Sequence, residues 1–227
     1  KKRGHKVVSL DRDMGGTCPF GSGYVSKEHI ISDIMDWDYT IYPVGHFDLI
    51  TASPVCLWWS HIRYSMIGRK LKGMDRPLTR EDIDNDIYKF GVPMVDKIFE
   101  ILDYYKPKHF WIENPQTGRM KEYIDPLIPY YDVDYCKYGL PYRKTTRFWT
   151  NIPNFVEKRC KNDCDAMVKV ETEDDSPPKY HHRFRIGHGK LKVKNSQDFG
   201  GSQSQYERYR IPYKLVEELL IAWELNS

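Results

Sequence analysis

Short apolar runs that each end in a polar or turn residue constrain the fold of this chain most strongly. The sequence has four such runs, at residues 7–10, 30–31, 47–52 and 109–112. The residues that close them are Asp11, Asp33, Ser53 and Glu113 respectively. Runs of this length and β-rich composition are typical of buried parallel strands. Between the last two runs, apolar residues recur at helical spacing from Pro93 to Tyr105. A strand, a helix and a strand in this order predict a crossover unit of an open α/β sheet.

The remainder of the chain divides into strand-like, loop-rich and helical parts. Residues 131–138 and 147–152 predict two more strands, and residues 211–225 predict a helix that Pro212 opens. From residue 153 to 201, Pro, Gly, Ser and charged residues dominate, which favours an irregular segment. We therefore expect a core at 1–153, a small loop-rich region at 154–201, and a helix returning to the core at 202–227.

Charge and composition limit the class of protein. The apolar runs are far too short to cross a membrane, and no signal peptide is visible. Five cysteines without a dense pattern favour an intracellular setting. Residues 137–147 contain four Lys or Arg and no acid, and residues 179–194 contain six with three His and no acid. Basic stretches beside aromatics favour a polyanionic partner such as a nucleic acid, although solvated loops would look the same.

A thiol and a carboxyl group follow two of the predicted strands. Cys56 comes shortly after the strand that Ser53 closes, and Glu113 directly follows the next one. In open α/β sheets, ligands bind at the carboxyl ends of the strands, so we expect the two groups to lie near each other. A free thiol has a pKa of about 8.5, so a reactive Cys56 needs a basic neighbour, for which Arg143 and Arg147 are candidates. The alternatives are a buried cysteine that only packs and a simple strand-to-turn signal at Glu113.

Four segments in this order resemble the cytosine-5 DNA methyltransferases, especially their compact phage and viral-type members. The segments are Ser53-Pro54-Val55-Cys56, Glu113-Asn114-Pro115, the basic stretch at 138–151, and residues 206–212. The similarity spans nearly the whole chain. It implies a Rossmann-like class I methyltransferase sheet with helices on both faces, and it places target recognition in the 154–201 region.

The resemblance implies a role for each residue of the catalytic site. Cys56 is expected to add to the cytosine ring as the nucleophile, and Glu113 to contact the ring nitrogen and the amino group. Arg143 or Arg147 is expected to hold the base or its phosphate. The remaining residues expected on the substrate side are Asn114, Pro115, Trp58 and Lys144. Trp58 has packing as its alternative role.

The resemblance also implies S-adenosylmethionine as the methyl donor. Asp11 is expected to accept hydrogen bonds from the ribose hydroxyls, Asp33 and Ile34 to meet the adenine, and Ser53 and Pro54 to complete the donor site. This sequence departs from the family pattern in two ways. It starts after the expected first strand and Gly-rich loop, and Val55 stands where the family has a proline before the cysteine, which relaxes the loop.

Double-stranded DNA is the expected partner, with a monomer as the default state. Two other functions remain open from the sequence. One is an amino-methyltransferase acting on N4 of cytosine or N6 of adenine, and the other is a degenerate member that binds nucleic acid without catalysis. RNA is a variant substrate for either enzyme. Cys160 and Cys164, with His181, His182 and His188 further on, allow a zinc site, but the loose spacing favours two unlinked loop thiols and no metal.

Overall fold

The computed structural model describes residues 3–12, 28–170, 179–183 and 210–227 and has a mixed α/β fold. Its strands are β1 (Val8–Asp11), β2 (Glu28–Ile31), β3 (Leu49–Ala52), β4 (His109–Pro115), β5 (Tyr130–Asp134), β6 (Thr145–Thr150), β7 (Met167–Val170) and β8 (Lys179–His182). Its helices are α1 (Arg80–Asp86), which continues through a π-helical turn (Ile87–Gly91) into α2 (Val92–Tyr105), and α3 (Tyr213–Glu224). No helix in these parts of the chain is long and apolar enough to cross a lipid bilayer.

The central sheet has the strand order β3-β4-β6-β5. Strands β3 and β4 are parallel, with Ala52 opposite Ile112, whereas β6 is antiparallel to both of its neighbours. The chain between β3 and β4 contains α1 and α2, so the predicted strand–helix–strand unit is confirmed. This register places the loop that follows Ala52 beside the carboxyl end of β4, where Glu113 and Asn114 lie.

Helix α2 packs one apolar face onto the central sheet. Val95, Ile98 and Leu102 are buried in a cluster with Ile112 of β4 and Trp149 of β6. Pro93, which has no backbone N–H to donate, lies at the start of α2 just after the π-helical turn, and the helix ends as Lys106 adopts a left-handed conformation at φ 49°. Residues 93 to 105 were predicted to form this helix from their spacing, and the prediction is confirmed.

Within the described residues the strands form three sheets rather than the one open sheet that the sequence predicts. Strands β1 and β2 pair in parallel with each other, and β7 pairs antiparallel with β8. In the described part of the chain, no ladder of hydrogen bonds joins either pair to the central sheet. Apolar runs reveal strands, but they do not reveal which strand lies beside which.

The prediction of a strand over residues 131–138 is wrong in its second half. Strand β5 ends at Asp134, and Tyr135–Tyr138 is a 3-10 helix closed by Gly139 at φ 90°. Tyr135, Cys136 and Tyr138 are all buried, a pattern that a strand with alternating faces does not produce at the rim of a sheet. The chain then runs through residues 139–144 before it enters β6.

The C-terminal parts complete a second core cluster and add a hairpin. Leu215, Leu219 and Trp223 of α3 pack with Tyr135 and Phe148, in the segment that was predicted to be helical. Strands β7 and β8 lie in the region that was expected to be loop-rich. They are four residues each and are flanked by polar sequence, so their apolar signal is too short to separate from a loop. Residues 206–212, which resemble a segment of the cytosine-5 DNA methyltransferases, lie largely outside the described residues.

Candidate active site

Two consecutive residues of β4 project from opposite faces of the strand and anchor the site. Glu113 is 6% exposed and Asn114 is fully buried. Glu113 lies opposite Phe148 of β6, and Asn114 lies opposite Arg147. Because directly opposed residues of an antiparallel pair project from the same face, Arg147 accompanies Asn114 and points away from the face of Glu113.

The Glu113 carboxyl group is held by two hydroxyl groups in a dry environment. The Tyr135 hydroxyl donates a hydrogen bond to Glu113 Oε1 at 3.0 Å, and Ser53 also hydrogen-bonds this carboxyl group. Burial raises the pKa of Glu113, and the nearby Lys144 charge and the two hydrogen bonds oppose that rise. Glu113 therefore keeps its proton to a higher pH than an exposed glutamate and is suited to act as an acid.

Cys56 lies half-buried in the loop that follows β3, within electrostatic reach of Glu113 and Lys144. Burial raises the pKa of this thiol and the carboxylate of Glu113 raises it further, whereas the ammonium of Lys144 lowers it. In this environment Cys56 rests as a thiol, and the cation that favours its ionisation is Lys144. The prediction of Cys56 and Glu113 as neighbours at adjacent strand ends agrees with this arrangement.

The structure does not bring Arg143 and Arg147 to the thiol. Arg147 Nε and Nη2 donate to the two carboxylate oxygens of Asp132 at 2.7 and 2.8 Å, and its guanidinium lies 3.6 Å from the centre of the Tyr130 ring. Arg143 Nε lies 3.2 Å from Asp134 Oδ1, and its side chain is 41% exposed. Lys144, which the sequence placed on the substrate side, interacts electrostatically with Cys56 and Glu113, with its ammonium 5.0 Å from the Tyr135 ring centre.

Asn114 fixes the loop that carries the thiol. Its Nδ2 donates to the carbonyl oxygen of Pro54 at 2.9 Å, two residues before Cys56. Its Oδ1 is buried and has no hydrogen-bond partner among the described residues. The bond restrains the loop that Val55, in place of a proline, leaves freer. Pro115 ends β4, and its carbonyl oxygen accepts the Gly118 N–H at 2.9 Å.

The two tryptophans after Cys56 pack against the protein. Trp58 stacks on Phe90 at a ring distance of 4.7 Å and an angle of 24°, and Arg63 lies 5.6 Å from its ring centre. Trp59 is 1% exposed and lies against Gly91, where an added Cβ would approach within 2.7 Å of the indole ring. The structure thus gives Trp58 the packing contacts that were its alternative role, and Trp59 anchors the loop in the core.

The side chains expected to hold the donor lie at the ends of β1, β2 and β3. Asp11 is exposed at the carboxyl end of β1, level with Ile31 of β2. Asp33 Oδ1 accepts the Met35 N–H at 3.0 Å, and Ile34 packs partly buried against the core cluster of α2. A carboxylate at the end of a parallel strand can accept two hydroxyl hydrogen bonds, so Asp11 fits a ribose. Ser53 hydrogen-bonds Glu113.

The interpretation of Cys160 and Cys164 as unlinked loop thiols needs correction. Both are free thiols, but their sulfur atoms lie together with Cys136 Sγ and a ring nitrogen of His182. Cys136 was not predicted to join Cys160, Cys164 and His182, because it lies in a segment that was predicted to be a strand. Tyr135, the donor to Glu113, was missed for the same reason.

Replacing Lys144 with alanine is expected to raise the pKa of both Cys56 and Glu113, because its positive charge lowers both. The rate of Cys56 alkylation by iodoacetamide should then reach its midpoint at a higher pH, and the pH optimum of catalysis should move in the same direction. Lys144→Arg should restore most of the shift, and Lys158→Ala, which removes a lysine paired with Glu218, should leave the profile unchanged. An unaltered alkylation profile in Lys144→Ala would remove Lys144 from the site.

Comparison with known proteins assigns the chain to a family. No protein-family model matches the chain. A probable DNA (cytosine-5)-methyltransferase of Frog virus 3 (isolate Goorha) is 38% identical over 193 residues, which cover 83% of this chain and 81% of the viral protein. Identity at this level over most of both chains accompanies a shared fold and a shared family. The chain therefore belongs to the DNA (cytosine-5)-methyltransferase family.

Proposed function

We propose that Cys56 and Glu113 are the nucleophile and the acid with which this S-adenosylmethionine-dependent DNA (cytosine-5)-methyltransferase methylates cytosine in double-stranded DNA. One observation carries the proposal: a buried carboxyl group with a raised pKa lies within electrostatic reach of a thiol at the end of the neighbouring parallel strand. Methylation at C5 needs such a pair, because C5 becomes nucleophilic only after a thiolate has added to C6.

The residues act in sequence on a cytosine that has left the base stack, which costs a few kcal/mol. Cys56 gives up its proton with help from the Lys144 charge, and its sulfur bonds to C6. The protonated carboxyl group of Glu113 donates to N3 as electron density moves into the ring, so that C5 gains nucleophilic character. S-adenosylmethionine, when bound, supplies the methyl group. A base then removes the proton from C5, the bond between sulfur and C6 breaks, and the thiolate of Cys56 is released while N3 returns its proton to Glu113.

The donor is proposed to bind along the carboxyl ends of β1 and β2. Asp11 would accept the ribose hydroxyls, while Asp33 and Ile34 would border the adenine. Ser53 and Pro54 would border the methyl group, because they connect β3 to Cys56. The parallel pairing of β1 with β2 and of β3 with β4 supports a Rossmann-like class I arrangement of these strands.

Duplex DNA is proposed to contact the basic surface near β6 and the β7–β8 hairpin. Arg143 is the more exposed of the two candidate arginines, so its guanidinium would be the one to contact a phosphate. The basic stretch at 179–194 is described only as far as Arg183. Asn114 projects from the opposite face of β4 and would act on the cytosine pocket only through the loop that carries Cys56. Pro115 would border that pocket, and the 154–201 region would recognise the target sequence.

The identity of the product tests the proposal. The protein is incubated with duplex DNA and methyl-labelled S-adenosylmethionine, and the DNA is digested to nucleosides and analysed by mass spectrometry. We expect the label in 5-methyl-2′-deoxycytidine. Less label should be transferred to the same sequence supplied as single-stranded DNA or as RNA. Label in N4-methylcytosine or N6-methyladenine would support amino-methylation instead, and DNA binding without any methylated product would support a non-catalytic role.

A further inference from the structure

We propose that Cys136, Cys160, Cys164 and His182 bind one structural zinc ion that fastens the β7–β8 hairpin to the catalytic core. The three sulfur atoms and the histidine nitrogen all lie within 4.8 Å of one another. Cys160 Sγ and His182 Nε2 are 3.4 Å apart. Around a tetrahedral zinc ion with Zn–S bonds of about 2.3 Å, ligand atoms are separated by about 3.3–3.8 Å, so a small contraction of this cluster gives the required geometry.

The chemistry of the four donors favours zinc. Three thiolates and an imidazole form a soft, tetrahedral donor set of the Cys₃His type, which zinc occupies in structural sites. All four positions are filled by protein, so no position is open for a water molecule or a substrate, as a catalytic zinc would need. Cys136 and Cys160 are 4% exposed, which would shield the ion from solvent.

Backbone N–H groups around Cys160 and Cys164 donate hydrogen bonds to the sulfur atoms. The N–H groups of Asn162 and Asp163 donate to Cys160 Sγ, and the Ala166 N–H donates to Cys164 Sγ. Asn162 adopts a left-handed conformation at φ 63°, which turns the short loop between the two cysteines back on itself. N–H to sulfur hydrogen bonds of this kind offset the negative charge that three thiolates leave on the ion.

The cluster joins three segments that are distant in sequence. Cys136 lies in the 3-10 helix after β5, Cys160 and Cys164 precede β7, and His182 ends β8. Cys136 directly follows Tyr135, the hydrogen-bond donor to Glu113. A zinc ion here would restrain both the β7–β8 hairpin and Tyr135. This inference does not depend on whether Cys56 is the nucleophile.

Metal analysis of the full-length protein tests the site. Protein purified without chelator is expected to contain about one zinc ion per chain. Cys164→Ser and His182→Asn should lose most of this zinc, whereas the matched variants Cys56→Ser and His181→Asn should keep it. Cys56→Ser removes the proposed nucleophile and spares the cluster. A failure of the zinc proposal can therefore be distinguished from a failure of the proposed function.

A second measurement covers the case in which a ligand variant does not fold. Cobalt(II) added to the metal-stripped natural chain should produce the intense visible bands of tetrahedral thiolate coordination, and zinc should bleach them. Iodoacetamide should label Cys56 with or without metal but should label the three cluster thiols only after metal removal. The proposal is overturned by protein that contains no zinc and gives no thiolate–cobalt bands, by a disulfide among the three cysteines, or by iron with acid-labile sulfide.

Discussion

Cys56→Ala is expected to abolish the covalent complex between this protein and a DNA duplex containing 5-fluorocytosine. Fluorine at C5 cannot leave as a proton does, so the bond between sulfur and C6 persists after methyl transfer and the complex survives denaturing electrophoresis. Alanine has no atom that can add to C6. We expect methyl transfer to unmodified DNA to fall by on the order of 10⁴-fold or more, as for other enzymes that lose their nucleophile.

The fold of this variant should be preserved, so the loss can be assigned to chemistry. The loop is held by the Asn114 hydrogen bond to the Pro54 carbonyl and by the buried Trp59, and neither contact involves the sulfur. Cys18→Ala, which removes a thiol that has no assigned role, serves as the matched control and should form the complex normally. A complex that persists in Cys56→Ala would identify a different nucleophile, and full methyl transfer without any complex would point to amino-methylation.

Glu113→Gln is expected to separate the reactivity of the thiol from catalysis. Glutamine fills the same space but cannot be the acid that protonates N3, so methyl transfer should fall by about 10²- to 10⁴-fold. The Glu113 carboxylate raises the pKa of Cys56. Its removal should therefore lower that pKa, so that iodoacetamide alkylates Cys56 faster at a given pH.

The sign of this effect depends on the ionisation of Glu113 itself. Burial raises the pKa of Glu113, so its negative charge acts on the thiol only at a pH above that pKa. We therefore expect the alkylation midpoint of Cys56 to move to lower pH in Glu113→Gln. Glu122→Gln, which changes an exposed carboxylate paired with Arg119, should leave both measurements unchanged. Slower alkylation together with full methyl transfer would contradict the assignment of Glu113.

The sequence predicted where the parallel strands end, but not which side chains meet in the folded chain. Cys56 and Glu113 were predicted correctly as neighbours because a buried parallel strand has a recognisable apolar pattern and its carboxyl end a recognisable position. Lys144 was not preferred over Arg143 and Arg147, because the three lie in one basic stretch. Their partners in the folded chain separate them, since Arg143 pairs with Asp134 and Arg147 with Asp132. The 3-10 turn at Tyr135–Tyr138 was missed because its residues also have strong β propensity.

Contacts between distant segments account for the rest of what was missed. Cys136 and His182 are 46 residues apart in sequence, and no fixed spacing links them to Cys160 and Cys164. Tyr135 reaches Glu113 across 22 residues through the pairing of β6 with β4 and β5. Such partners depend on the order of strands in the sheet, which the apolar pattern of a single chain does not specify.

Glu113 and Asn114, which are adjacent on β4, determine which substitutions around the thiol this protein can tolerate. Glu113 is the proposed acid, and the next residue, Asn114, fastens the loop of the thiol. The separation of acid and thiol is therefore set by the pleat of one buried strand and one amide, with little contribution from the side chain at position 55. Selection can change the residue before the cysteine, as Val55 illustrates, while a change at Asn114 would alter the catalytic distance even though this side chain never needs to touch a reacting atom.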